Sequence, residues 1–291
     1  MNPALLSRRK FITAIPALIT TAAVWRGRPL QAAAPQVRVG CQANGFPLKA
    51  GEFPALITAL QKMHELGYTG FECNIRFVEG EFARVEEARK RIEDTGVAFI
   101  GSHLGMSQVK PDVFPRWLEK VAALGGNAIV MSGNGLAANG IFPRGAALKK
   151  AEELDALGRQ CRQAGLRLSY HNHNPEFANH NAEIEALAEA TDAKAVDFLM
   201  DAGHARLGGG DPAAFMRKFS GRILGCHLKT YQGPMQVPLG QGDWEFDDLA
   251  AAIKSTRWGG WLITEEGGGP KPGNTAALAP DRAYIRKVFG V

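Results

Sequence analysis

From residue 37 onward the chain alternates short apolar runs with longer stretches of helical periodicity, eight times in series, and this repeat limits the fold more than any other feature. The apolar runs fall at 37–42, 70–74, 98–103, 128–132, 167–171, 197–201, 223–229 and 261–265. Helical periodicity occupies 53–66, 82–94, 115–124, 148–164, 182–190, 212–219, 246–255 and 282–289. Strand and helix in alternation imply parallel pairing, because parallel strands need a crossover long enough to hold a helix. Gly67, Gly96, Gly125 and Gly165 stand where four helices end, the position of a left-handed cap. Asp211-Pro212 and Asp247-Asp248 read as helix starts. No glycine-rich dinucleotide fingerprint follows the first strand, so an open Rossmann sheet fits less well than a closed (β/α)8 barrel. One such barrel takes about 250 residues, and residues 35–291 are read as a single α/β barrel domain. Its glycine clusters Gly208-Gly209-Gly210 and Gly267-Gly268-Gly269 follow strands and read as loops at the barrel mouth.

Residues 1–34 lie outside the repeat. Ser7-Arg8-Arg9-Lys10-Phe11-Ile12 leads into an uncharged apolar run over 11–24, and Ala32-Ala33-Ala34 supply small residues for cleavage. That is the layout of an export signal. The run contains Pro16 and falls short of the roughly 20 residues a spanning helix needs, so no stable membrane span is expected after processing. The paired Arg8 and Arg9 resemble the twin-arginine signal. The resemblance implies the twin-arginine export machinery as a partner and a periplasmic or exported location.

Charge and cysteine content narrow the function classes. Arg8, Arg9, Lys10, Arg26 and Arg28 all belong to the first segment, which holds no acid, so taking them from the formal +5 leaves the barrel near neutral. Such a barrel lacks the broad positive field of a surface that grips a phosphate backbone, and no nucleic-acid partner is expected. Cys41, Cys73, Cys161 and Cys226 are scattered without metal-ligand or redox spacing. A domain of this size has core enough to stand without disulfides.

Barrel enzymes carry their chemistry at the carboxyl ends of the strands. There this chain places Glu72 and Asn74, His103, His171-Asn172-His173, Asp201 with His204 beyond it, His227 and Lys229, and Glu265-Glu266. Five of the seven histidines occupy such ends. One histidine so placed is more often a hydrogen-bonded structural residue, whereas five at one end of one barrel point to chemistry. Alternation along a strand puts His227 and Lys229 on one face, and His171 with Ser169 and Arg167, without saying which face is the lumen.

The segments Leu199-Met200-Asp201-Ala202-Gly203-His204, Cys226-His227-Leu228-Lys229, Trp261-Leu262-Ile263-Thr264-Glu265-Glu266 and Pro238-Leu239-Gly240-Gln241-Gly242-Asp243 together resemble the xylose isomerase-like TIM barrel superfamily of sugar phosphate isomerases and epimerases. The resemblance implies one divalent ion, Mn, Co, Mg or Zn, held by Asp201, His227, Glu265 and a residue of the fifth strand. Mixed carboxylate and imidazole ligation suits such ions. At the fifth strand the chain departs from the pattern, with His171 where the epimerases have glutamate. Either His171 takes over as ligand, or Glu176 reaches back to the ion and frees His171 or His173 for proton transfer. The preferred assignment makes His171 the ligand and His173 the base.

The chemistry implied is proton removal beside a carbonyl through a metal-stabilised enediolate. The outcome is isomerisation, epimerisation, or a lyase or hydratase reaction on a keto-sugar or 3-keto-glycoside. The candidate catalytic residues are His173, His171, Glu265 and Lys229, with Lys229 holding a hydroxyl or the developing charge. Glu72, His103, Glu176 and His204 are candidate substrate-binding residues, and association into a homo-oligomer is left open. Two other classes compete: a phosphodiesterase like the endonuclease branch of the superfamily, disfavoured by the near-neutral barrel, and an exported carbohydrate-binding barrel without catalysis.

Overall fold

The eight apolar runs become β1 (Arg38–Gln42), β2 (Gly70–Asn74), β3 (Ala98–Gly105), β4 (Ala128–Ser132), β5 (Arg167–His171), β6 (Val196–Asp201), β7 (Ile223–Leu228) and, after a small hairpin β8 (Thr230–Gln232) and β9 (Met235–Val237), β10 (Trp261–Thr264). They close into one parallel barrel in the order β1-β10-β7-β6-β5-β4-β3-β2. The computed structural model describes residues 36–133, 135–136, 142–267 and 275–291; the expected export segment and residues Gly268 and Gly269 lie outside them. Among the described residues, no helix is long and apolar enough to cross a membrane.

Around the barrel run α1 (Phe53–Glu65), α2 (Val85–Glu93), α3 (Phe114–Ala123), α4 (Arg144–Gln163), α5 (Ala178–Ala190), α6 (Ala202–Leu207), α7 (Pro212–Phe219), α8 (Asp247–Thr256) and α9 (Leu278–Phe289). Gly67, Gly96, Gly125 and Gly165 adopt φ of 85, 74, 88 and 77°, the left-handed region that glycine enters without steric cost. Asp211 caps α7 by accepting from the Ala214 amide. At α8 the expectation fails in detail: Asp247 is already the first helical residue, and Phe246 at the cap makes no side-chain bond. Its two aspartates act there by charge at the positive end of the helix. The first residues of α5, Asn179, His180 and Asn181, are left-handed, so regular helix begins close to where the periodicity starts. The four cysteines are free and buried.

Two apolar layers hold this arrangement. One lies between strands and helices, with Phe71, Phe99, Leu168, Phe198 and Phe215 among its buried members. The other, Ile100, Val130, Leu199, Trp261 and Ile263, is a separate cluster that fills the lumen. Gly70 makes room for it: a Cβ there would press on the Trp261 ring. Side chains two residues further along several of these strands share the inward face, and there the polar residues begin: His171 beyond Ser169, Asp201 beyond Leu199, His227 beyond Gly225, Glu265 beyond Ile263.

His103 reaches that layer by a different route. Counting by twos from Ile100 would put Ser102 inside, but the β2–β3 register shifts between Phe71 and Glu72, where Glu72 pairs with Gly101 and Asn74 with His103. The irregularity exchanges the faces of β3 and brings His103 inward, as bulges near active sites do.

Candidate active site

Four strands converge on one buried cluster. A nitrogen from each of His171 and His227 and an oxygen from each of Asp201 and Glu265 all lie within 4.8 Å of one another. His227 Nδ1 is 2.8 Å from Glu265 Oε2, 3.2 Å from His171 Nε2 and 3.9 Å from Asp201 Oδ2. Lys229 joins them with its ammonium 2.7 Å from Asp201 Oδ2 and 2.8 Å from Glu265 Oε2. On the far side of His227, Glu72 Oε2 sits 2.6 Å from its Nε2 and 3.0 Å from His103 Nε2.

Lys229 gets this position from Gly203, because a Cβ at residue 203 would run into the Lys229 side chain and carbonyl. Asp201 in turn starts α6, its Oδ1 accepting from the His204 amide at 2.7 Å, while Asn172 bonds the Asp201 backbone on both sides.

The charges explain the protonation states. Burial alone would push Glu72 up, but the His227 and His103 charges and hydrogen bonds hold its carboxyl down at about 2. Burial would lower His227, yet Glu265 and Glu72 raise it to about 10. His171 has no such pair of carboxylates: burial carries it down to about 3 against the pull of the Asp201 carboxylate, so it is neutral. Burial acts against ionised Asp201 and Glu265 too, and Lys229 keeps both well below the usual carboxylate range.

The donor set fits a divalent ion. Two imidazoles and two carboxylates form a mixed nitrogen and oxygen set of the kind such ions take. Asp201 Oδ2, Glu72 Oε1 and His171 Nδ1 are buried without a hydrogen-bond partner, since the contact from Lys229 to Asp201 Oδ2 has the distance but not the angles of a hydrogen bond. Orphaned buried donors and acceptors of this kind are rare without a reason.

The mouth is lined by His173 and His204, both half-buried. His173 Nδ1 donates to the Gly133 carbonyl at 2.8 Å, which leaves Nε2 as the lone-pair nitrogen. His204 Nδ1 is 2.6 Å from Asn174 Oδ1. The His173 ring centre is 5.2 Å from that of His171 and 5.0 Å from that of His204.

Two expected substrate contacts are placed elsewhere. Glu176 does not reach back to the cluster: its carboxylate accepts from the Tyr170 hydroxyl at 2.6 Å and from the His173 amide at 3.1 Å, with Lys150 3.9 Å away. Tyr170 has the opposite parity to His171, so this network lies behind the strand, where it braces the loop that carries His173. Glu72 is also closed to a substrate, having no exposed surface and two histidines on one oxygen. His103, 8 % exposed, sits beneath the mouth rather than on it.

Residues 60–288 match the family described as xylose isomerase-like TIM barrel. The chain belongs to that family. An inosose dehydratase of Bacillus thuringiensis is 29% identical over 164 residues, taking in 49% of this chain and 55% of the relative, so the chain spans about half the length of that curated relative in the match. Among solved structures, an L-ribulose 3-epimerase superposes with a TM-score of 0.72 at 17% identity over 88% of this chain and 95% of the other. The IolI protein with a bound zinc atom does so at 0.68 and 14% identity, over 87% and 98%. At these identities the two structures speak for the shared barrel.

Sequence reasoning passed over Gly203, Tyr170, Gly133 and Asn172. Gly203 stood inside a quoted motif and Asn172 between two singled-out histidines, so both were in view without a role. Nothing in the sequence pattern marks Gly133 as the acceptor for His173.

Proposed function

We propose that the chain is a divalent-metal-dependent enzyme that removes a proton from the carbon beside the carbonyl of a keto-sugar or inosose, with loss of water as the favoured outcome. The observation that carries this reading is the buried set His171, Asp201, His227 and Glu265 directly below a histidine whose Nε2 is free. His171, Asp201, His227 and Glu265 would hold a divalent ion, which would supply a Lewis acid for a carbonyl oxygen. The zinc in the IolI structure supports a metal in such a barrel, and the dehydratase relative supports elimination.

The protein's own groups then divide the work. His173 Nε2 takes the proton, its ring held by the Gly133 carbonyl and its backbone by Glu176. The electrons of the broken C–H bond end in a C=C bond once the C–O bond at the next carbon breaks. The departing hydroxide leaves as water with the proton that His173 carries. Lys229 and His204 hold substrate oxygens beside the carboxylates. A well-placed base of this kind contributes about 10² to 10⁴ in rate.

Elimination is favoured over epimerisation by the dehydratase relative. The near-neutral barrel speaks against phosphodiester chemistry. The amino-terminal segment is read as a twin-arginine signal for a periplasmic or exported enzyme, on the strength of Arg8, Arg9 and the apolar run.

The test is incubation of metal-loaded protein with a panel of ketoses and inososes in D2O, followed by proton NMR. Loss of the signal beside the carbonyl, with an unsaturated product, supports the reading. Metal-loaded protein that binds these compounds without exchange or product would leave the non-catalytic carbohydrate-binding barrel instead.

A further inference from the structure

We infer that Glu72 is a positioning residue for the metal centre: it takes up Nε2 of His227, so that Nδ1 is the nitrogen presented to the ion. The inference rests on the metal reading of the four-donor cluster and adds a residue that the cluster does not contain.

An imidazole ligates through one nitrogen, and what the other nitrogen is bonded to decides which one. His227 has no exposed surface, so water satisfies neither. Its Nδ1 points into the cluster, 2.8 Å from Glu265 and 3.2 Å from His171. Its Nε2 points the other way and meets Glu72 Oε2 at 2.6 Å. β2 and β7 are not neighbours in the barrel, since β1 and β10 lie between them, so the Glu72 side chain spans the lumen to make this bond.

Glu72 is itself held from a second side. The same Oε2 lies 3.0 Å from His103 Nε2, and the His103 ring stacks on His227 with centres 5.6 Å apart and planes 16° from parallel. His103 Nδ1 faces Ser132 Oγ at 3.5 Å. Two ring N–H groups converging on one oxygen at hydrogen-bond distance make a clamp. The alternative, in which Glu72, His103 and His227 are a second ligand set, would require both rings to turn these nitrogens' lone pairs to an ion. A carboxylate behind a metal-bound histidine fixes the ring and raises its basicity, and losing such a partner typically costs about 10- to 100-fold in metal affinity.

Zinc affinity is measured by competition with a chromophoric chelator for the wild-type protein and for Glu72→Gln, which keeps the shape and removes the charge. The expected result is about 10- to 100-fold weaker binding in the variant. Equal affinity overturns the inference while the metal reading stands; a wild-type protein that takes no zinc sinks both. Long-range proton–nitrogen correlation on zinc-loaded wild-type protein with labelled histidine reads the same point without a variant, and it decides the matter if Glu72→Gln does not fold. It should show His227 protonated at Nε2 and coordinated at Nδ1. Coordination through Nε2 would overturn the inference.

Discussion

The ammonium of Lys229 lies 2.7 Å from Asp201 Oδ2, among the four donors rather than beside them. In the metal-free state it supplies the positive charge that two buried carboxylates require. Removing one partner of a buried pair typically costs about 3–5 kcal/mol, because the remaining charge is left uncompensated.

Lys229→Met should therefore lower the thermal stability of the metal-free protein strongly. A divalent ion would replace the lost charge, so zinc should raise the Tm of the variant by more than it raises that of the wild type. Thermal scans with zinc and with chelator compare the two increments. An increment no larger in Lys229→Met would show that the lysine does not share these carboxylates with an ion.

Stability of the metal-free barrel should fall on the alkaline side. His227 is raised from 6.5 to about 10, so the stability it contributes is complete below 6.5 and is lost as pH rises through about 10. Glu266, raised from 4.5 to about 9 by burial and by the neighbouring Asp281, acts in the same sense between those two values, a range that overlaps the lower part of that window. Chelator-treated protein should lose Tm steadily from pH 6.5 towards these values, and Glu266→Gln should flatten part of the slope. A Tm constant over that range would contradict the charge assignments.

His173 should be separable from the metal. His173→Ala is expected to keep its ion and to lose about 10² to 10⁴ in the rate of deuterium exchange at the substrate carbon. Tyr170→Phe, which removes the hydroxyl that holds Glu176 behind the His173 loop, should lower kcat more than it changes zinc affinity. If His173→Ala loses the ion instead, the ligand and base roles of His171 and His173 are exchanged.

Replacing Arg8 and Arg9 together by lysine should leave the protein in the cytoplasm, as cell fractionation would show. Normal export of that variant would remove the twin-arginine reading without touching the barrel.

Much of the site was legible because strand ends are legible. Asp201, His227, Glu265 and His171 each terminate an apolar run, and the barrel brings such ends together whatever the helices do. What escaped depends on backbone irregularity or on reach across the lumen. His103 faces inward through a register shift that period-two counting from Ile100 does not contain. Glu72 could be placed at a strand end, but that its carboxylate spans to β7 is a fact of tertiary packing. Glu176 was misplaced for a local reason: after Asn172 the chain passes to the outer side of β5, where Tyr170 points, so nearness in sequence to His171 says nothing about nearness to the ion. The short α6 and the β8–β9 hairpin carry too few residues to show a period.

The central claim is that one divalent ion sits among residues from β5, β6, β7 and the end of β10. The most direct measurement is an anomalous difference map from crystals of the zinc-loaded protein. The account predicts a single strong peak bonded to His171, Asp201, His227 and Glu265, with Glu72 bonded to His227 and not to the ion. No peak in the barrel, or a peak held by Glu72 and His103, would contradict it.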